Sequence, residues 1–179
     1  MKKIAIFAAV FFAVATLSAQ AVKAPVNQVL NSSFEMIDAK TSKAKYWNFS
    51  KASTIIKGEK GNQAKINGGI HQYLTASKVW QSSKPRKIRY SFTVSGKGKL
   101  SVSFFRYSDT PNPKEKHGYT RKFLPHSLNK VVVLTEKPQT VTGTYTIAAN
   151  EWVALGISAL DAVVDDVTVD VIQETTPAK

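Results

Sequence analysis

Arg89-Tyr90-Ser91-Phe92-Thr93-Val94-Ser95-Gly96-Lys97-Gly98-Lys99-Leu100-Ser101-Val102-Ser103-Phe104 alternates apolar and polar residues with a period of two. In an extended chain successive side chains point to opposite faces, so Tyr90, Phe92 and Val94 share one side and Arg89, Ser91 and Thr93 the other. Ser95-Gly96-Lys97-Gly98 reads as a turn, because glycine takes positive φ without a steric cost. Leu100, Val102 and Phe104 then resume the apolar face, so the stretch predicts a hairpin. The same alternation recurs at Tyr145 and Ile147 and at Val153, Leu155 and Ile157, and the inner side of the last strand is assigned to Val163, Val167, Val169 and Val171. Shorter strands are expected at 47–49, 53–57, 63–67, 70–74 and 131–134. Turn signals stand between them, among them Gly61-Asn62, Asn67-Gly68-Gly69, Lys137-Pro138 and Ala149-Asn150. Many short strands at this spacing imply an all-β fold, a two-sheet antiparallel β-sandwich. Residues 109–118, with Pro111 and Pro113, form the longest expected irregular stretch.

The chain of 179 residues is read as one domain with short flanks. Residues 1–21 have the form of a secretory signal peptide: Lys2-Lys3, an apolar run over 4–17, then Ala19-Gln20-Ala21. The alternative is an uncleaved anchor, against which the run falls short of the ~20 residues that a membrane span needs. Residues 22–26 are read as a linker, 27–173 as the β-sandwich and 174–179 as a disordered tail. Export implies a secreted or periplasmic protein. There are 0 Cys, which excludes disulfides, thiol catalysis and thiolate metal sites. The formal charge is +13, with bases crowded from Lys78 to Lys122 and carboxylates gathered from Asp161 to Glu174. A positive field favours anionic partners, here an acidic polysaccharide or anionic cell-surface components. The alternative is a basic surface that is merely solvated. Nucleic acid is set aside by export, no transmembrane segment is expected, and the protein is expected to be a monomer.

No catalytic constellation emerges. His71, His117 and His126 have no metal-site spacing, and there is no Gly-x-Ser-x-Gly elbow, phosphate loop or dinucleotide fingerprint. Asp165 falls in the assigned inner phase of the last strand, where an ionised carboxylate needs a hydrogen-bond partner or a cation. Glu35 near the first strand and Glu59 in a small-residue loop complete an oxygen-only set that suits calcium. The alternative is that Asp165 caps a turn or pairs with a lysine. Phe105 and Tyr107 flank Arg106 and lie in opposite phase to Phe104, while His71 and Tyr73 lie in opposite phase to Ile70 and Leu74. Aromatic faces beside planar polar groups suit a sugar ring. The competing reading buries Phe105 and Tyr107 under the 109–118 loop, or buries both faces of this central strand. Trp80 and Tyr119 are a third candidate place, and Trp47 and Trp152 are assigned to the core.

Asn31-Ser32-Ser33-Phe34-Glu35 resembles the Asn-x-Gly-Phe-Glu opening of jelly-roll carbohydrate-binding modules of the galactose-binding-like class, the type attached to xylanases and glucanases. Gly61-Asn62-Gln63-Ala64-Lys65-Ile66 is similar to that family's Gly-x-x-x-Leu-x-Val strand. Lys87–Val94 is similar to its Tyr-x-x-Ser-Phe-type strand, with the serine one place early, and Val164-Asp165-Asp166-Val167 resembles its closing Ile-Asp-Asp-Val. The resemblance covers nearly all of residues 27–172. It implies a two-sheet jelly roll whose opening and closing strands are neighbours, with a structural calcium held by Glu35 and Asp165 and less certainly by Glu59. It also implies a secreted, non-catalytic module that binds a polysaccharide on an aromatic sheet face carrying His71, Tyr73, Phe105, Arg106 and Tyr107. The alternative function is a structural or adhesive module that binds protein or cell-envelope components. Ser32-Ser33 departs from the family's glycine and leaves the tight opening turn without its usual residue.

Overall fold

The period-two pattern becomes seven antiparallel strands, with no helix among the described residues. They are β1 (Asn48–Phe49), β2 (Thr54–Gly58), β3 (Gly61–Tyr73), β4 (Arg86–Pro111), β5 (Tyr119–Val133), β6 (Gln139–Ile147) and β7 (Trp152–Val171). Residues 27–74 and 82–172 are described by a computed structural model. The expected leader at 1–21, the linker at 22–26, Trp80 and the tail at 174–179 lie outside the described residues.

The expected hairpin at 95–98 is instead a kink inside one long strand, β4. Pairing slips between Lys97 and Leu100 of β4 and between Ile66 and Gly68 of β3, both opposite residues 159–162 of β7. Such bulges bend and twist a strand. Gly96 has a φ of 149°, and a Cβ there would stand 2.2 Å from the Asp161 carbonyl oxygen, so the crossing requires glycine. The kink folds β4 back on itself. An extended chain at ~3.3 Å per residue would hold Tyr90 and Phe104 roughly 45 Å apart, yet their ring centroids are 5.9 Å apart.

Three long strands, β3, β4 and β7, therefore run through both layers of a sandwich. In the first layer β2, the start of β3, the end of β7, the start of β4 and β6 lie side by side. In the second layer the order is β1, the end of β3, the start of β7, the end of β4 and β5. Between the layers lie Ile66, Tyr90, Phe92, Val94, Leu100, Val102, Phe104, Leu155, Ile157 and Val164. The free edges of β5 and β6 close one side. Phe104 stacks on Tyr145 at 4.0 Å, the Tyr90 hydroxyl meets Asn129 Oδ1 at 2.5 Å, and Asn129 and Lys130 donate to the Thr144 and Thr142 carbonyls.

Four further expectations are corrected by long-range pairing. The strands expected at 63–67 and 70–74 are one strand, β3, because Asn67-Gly68-Gly69 is a bulge and not a turn. The irregular stretch expected at 109–118 is largely hairpin: β4 runs to Pro111 and β5 starts at Tyr119, closed by Asn112 N donating to Gly118 O at 2.8 Å. The inner phase of β7 at this point belongs to Ala162 and Val164, not Val163. A second bulge at Asp165-Asp166, with Asp166 at φ 51°, then returns Val167 and Val169 to the core. Asp165 is thereby carried off the core to its rim.

The opening and closing segments are neighbours. Gln28 N donates to Val169 O at 2.6 Å, and Val167 N donates to Ser32 O at 3.0 Å. The opening turn forms without glycine by using Asn31 (φ 54°) and Phe34 (φ 60°) in the left-handed region. Asn31 offsets this through its amide, which accepts from Met36 N and donates to the Met36 and Lys45 carbonyls. Phe34 is buried against Trp47, with centroids 5.2 Å apart.

Candidate functional site

Cross-strand register decides which side chains share the outer face of the second layer. His71 lies opposite Gly156, Tyr73 opposite Ala154, Phe105 opposite Ala154, and Tyr107 opposite both Trp152 and Phe123. Directly opposed residues project to the same side. The face is consequently a sheet of rings. Tyr107 stacks on Trp152 at 4.3 Å, and Tyr73 meets both edge-on, at 5.8 and 5.6 Å. His71 links Tyr73 to Phe105, at 5.9 and 5.5 Å, and Phe105 reaches His126 at 6.2 Å.

Small residues beneath the rings set their height. Phe105 lies across Gly156, where a Cβ would be 2.6 Å from the ring's Cε2. Glycine therefore lets one edge of the ring come down onto the strand, where a side chain would hold it off. Phe105 is 36% exposed and Tyr73 37%, whereas Tyr107 and Trp152 are buried beneath their neighbours. An apolar cleft of about 290 Å³ opens beside Phe105, lined by Phe49, Ser50, Gly69, His71 and Ser158. Burial pushes the Tyr107 phenol up to about 12, with the Tyr73 phenol adding to it, so Tyr107 is neutral and acts as a ring. Burial lowers the His71 pKa, which favours neutral imidazole with one donor and one acceptor nitrogen.

One cation sits among the rings. Arg121 lies 4.4 Å from the Trp152 ring and 5.3 Å from Tyr119, within cation–π range. It pairs with buried Asp109 at 3.2 Å and donates to the Tyr119 hydroxyl at 2.9 Å. Arg106 is elsewhere. It lies opposite core residue Val153, on the inner side, and donates to Glu151 through Nε at 2.8 Å and Nη2 at 2.6 Å. The face thus unites His71, Tyr73, Phe105 and Tyr107 and leaves out Arg106.

Trp152, Arg121, Asp109 and Phe123 were missing from the expected set. Trp152 is buried as expected, but on the outer face and not in the central core; Trp47 is in that core. Tyr119, Arg121 and Phe123 share a phase that was legible, yet no strand was assigned to them because 109–118 read as loop.

Glu35, Glu59 and Asp165 line a second, polar cleft of about 620 Å³ with Ser33, Lys60 and Gln63. Asn62 N donates to Glu35 Oε1 at 2.8 Å, and the adjacent Gln63 Nε2 donates to Asp165 Oδ2 at 3.2 Å. Consecutive residues of β3 therefore hold the two carboxylates toward each other. Burial raises the Asp165 pKa, the Gln63 and Asp166 hydrogen bonds oppose this, and the charges of Asp166 and Glu35 add to it. The donors are all oxygen, and positive charge would relieve the Glu35–Asp165 repulsion. Among the described residues no three carboxylate or imidazole side chains converge to hold an ion unaided. A cation here would need backbone or water oxygens beside Glu35 and Asp165.

No family model matches the chain, and no curated protein matches it in sequence. Solved structures share its fold. The CBM22-1 xylan-binding domain from Paenibacillus barcinonensis Xyn10C has a TM-score of 0.54 at 13% identity, over 87% of this chain and 100% of that one. The CBM22-1-CBM22-2 tandem domain of the same protein gives 0.54 at 14%, over 87% of this chain and 49% of that one. The bacteriophage CBA120 tailspike protein 4 enzymatically active domain gives 0.51 at 10%, over 82% of this chain and 21% of that one. At such identities the likeness is one of fold: the two-layer antiparallel β-sandwich of jelly-roll type expected from the sequence.

Proposed function

We propose that the chain is an exported, non-catalytic carbohydrate-binding module that holds a polysaccharide against the outer face of its second layer. The observation that carries this reading is the linked ring cluster of His71, Tyr73 and Phe105 on one sheet face, with Phe105 seated over Gly156 and partly exposed beside a cleft. The apolar face of a pyranose stacks on such rings. The neutral His71 imidazole and the Ser158 hydroxyl at the cleft offer hydrogen bonds to sugar hydroxyls. A buried Tyr107–Trp152 stack keeps the exposed rings from reorienting on binding, which limits the entropy lost. The xylan-binding domain that shares the fold supports a glycan ligand.

A catalytic role finds no support here. Glycoside hydrolysis uses two carboxyl groups flanking the bond. Asp109, which pairs with the arginine among the rings, and Glu151, next to Trp152 in the chain, are each tied to an arginine. Calcium is proposed at Glu35 and Asp165, with Glu59 at the mouth of the same cleft. There it would neutralise facing carboxylates and pin the opening segment to the end of β7.

Isothermal titration against a panel of neutral and acidic polysaccharides tests the function. Binding abolished by Tyr73→Ala with Phe105→Ala, at an unchanged melting temperature, is expected. Silence across the whole panel would remove the reading. A second reading, an adhesive module binding protein or envelope components, is favoured by an aliphatic ridge of exposed Leu128, Val131 and Val133 on β5. Envelope pull-down abolished by Leu128→Ser with Val131→Ser, but untouched by the ring substitutions, would favour it.

A further inference from the structure

The ring platform is poor in free charge, since Arg121 is already paired with Asp109. Free positive charge stands instead at its β1 rim. Residues 36–45 form a small hairpin closed by the Ile37–Ala44 bridge. Ala44 is buried at that bridge, and Lys43 and Lys45 on either side of it line one cleft. Neither lysine forms an ion pair among the described residues. They line a cleft of about 500 Å³ with Asp38, Thr41, Tyr46 and Asn48. The ionised Asp38 is the one carboxylate in this lining: its Oδ1 accepts from the Thr41 amide and hydroxyl and from the Lys40 amide, and the Lys45 charge also favours its ionised form, so the two lysines leave the cleft a net positive charge.

Two features tie this cleft to the platform. Asn48 stands opposite His71 in register, and Phe49 lines both clefts. A chain lying over Phe105 and His71 therefore meets Asn48 and then the lysines. Tyr46 distinguishes the cleft itself. Its φ of 70° is one that bulky residues rarely adopt, and its ring is 55% exposed. Residues held in such sparsely populated backbone regions cluster at ligand-binding and switch sites. The surroundings hold it there: Asn31 Nδ2 donates to Lys45 O on one side, and buried Trp47 donates from Nε1 to Asn31 O on the other.

We propose that this cleft is a second subsite, specific for an anionic substituent on the glycan. The Tyr46 ring supports the substituted sugar, and Lys43 and Lys45 bind its carboxylate or sulfate ester. The proposal rests on the glycan-binding reading above and adds a charge requirement to it.

Two matched pairs of polymers test it with the full chain. One is glucuronoxylan and the same polymer with its carboxyls reduced to alcohols. The other is a sulfated galactan before and after desulfation. The expected result is at least tenfold tighter binding of one acidic member than of its neutral partner, with the preference shrinking as salt rises from 50 to 300 mM. Lys43→Gln with Lys45→Gln should erase that preference and leave affinity for the neutral partner unchanged. Tyr46→Gly should weaken the acidic polymer while raising the melting temperature, because glycine relieves the backbone. A purely structural Tyr46 would not separate the two readouts. Equal binding of both members of each pair overturns the subsite alone. A preference that survives the double lysine substitution also overturns it. Failure to bind any of the four polymers overturns the subsite and counts against the glycan reading beneath it.

Discussion

Gly156→Ala separates the ring platform from the fold that carries it. The added Cβ would fall 2.6 Å from Cε2, 3.3 Å from Cδ2 and 3.4 Å from Cζ of Phe105. Carbon atoms rest at about 3.5–4.0 Å, so the ring must lift by roughly 1 Å. Nothing blocks this movement, because Phe105 is partly exposed and the atoms met are the far end of its side chain. Gly156 has no positive φ, and alanine loses less backbone freedom on folding than glycine, by about 0.5–1 kcal/mol. Stability should therefore change by less than about 1 kcal/mol in either direction. Binding should change more. A lifted ring changes its edge contact with His71, whose centroid lies 5.5 Å away. If one aligned ring contributes about 0.5–1.5 kcal/mol, affinity should fall by roughly 2- to 12-fold. Isothermal titration gives the affinity, and a thermal melt gives the stability. An unchanged affinity in Gly156→Ala, alongside a clear loss in Phe105→Ala, would show that the height of the ring is irrelevant and refute the argument.

Three further outcomes are expected. Phe104→Ala removes a fully buried ring stacked on Tyr145 where the layers meet, and should cost about 3–5 kcal/mol in urea unfolding. The folded His71 pKa lies below its ordinary 6.5 because burial penalises the charged ring. Its contribution to stability is complete above that value and is lost as the pH falls through the folded pKa, where the unfolded chain binds the extra proton. His71→Gln should flatten this part of the stability–pH curve. With calcium at 100 times its dissociation constant, the native state should gain about 2.7 kcal/mol. Chelation should then lower the melting temperature of wild type and leave Glu35→Gln/Asp165→Asn unchanged, whereas a wild-type melt indifferent to both calcium and chelator would refute the metal site.

Strand content and the inner faces were legible because a strand reports its environment with a period of two. Tyr90, Phe92 and Val94, and again Leu100, Val102 and Phe104, lie in the core as their alternation required. The opening and closing motifs predicted adjacent termini, and the hydrogen bonds of Gln28 and Val167 place them side by side. The ring pairs at 71/73 and 105/107 were visible for the same reason, since each stood out of phase with its apolar neighbours. Arg106 was misplaced although its phase was legible: Phe104 and Arg106 face inward and Phe105 outward in unbroken alternation, and Arg106 was grouped with the rings only because it stands between them in the chain. Val163 was misassigned for a different reason, because the phase of Val167 and Val169 does not carry back through the Asp165-Asp166 bulge.

The sequence by itself determined the strands, the apolar side of most of them and the meeting of the two ends, all of which follow from local spacing. Only the tertiary structure decided that Ser95–Gly98 folds one strand over itself, that Trp152 lies beneath the rings and not between the layers, and that Asn48 leads from His71 to the lysines. Each of these depends on which residues face one another across neighbouring strands. That register is a property of pairs distant in the chain, and no periodicity within a single strand encodes it.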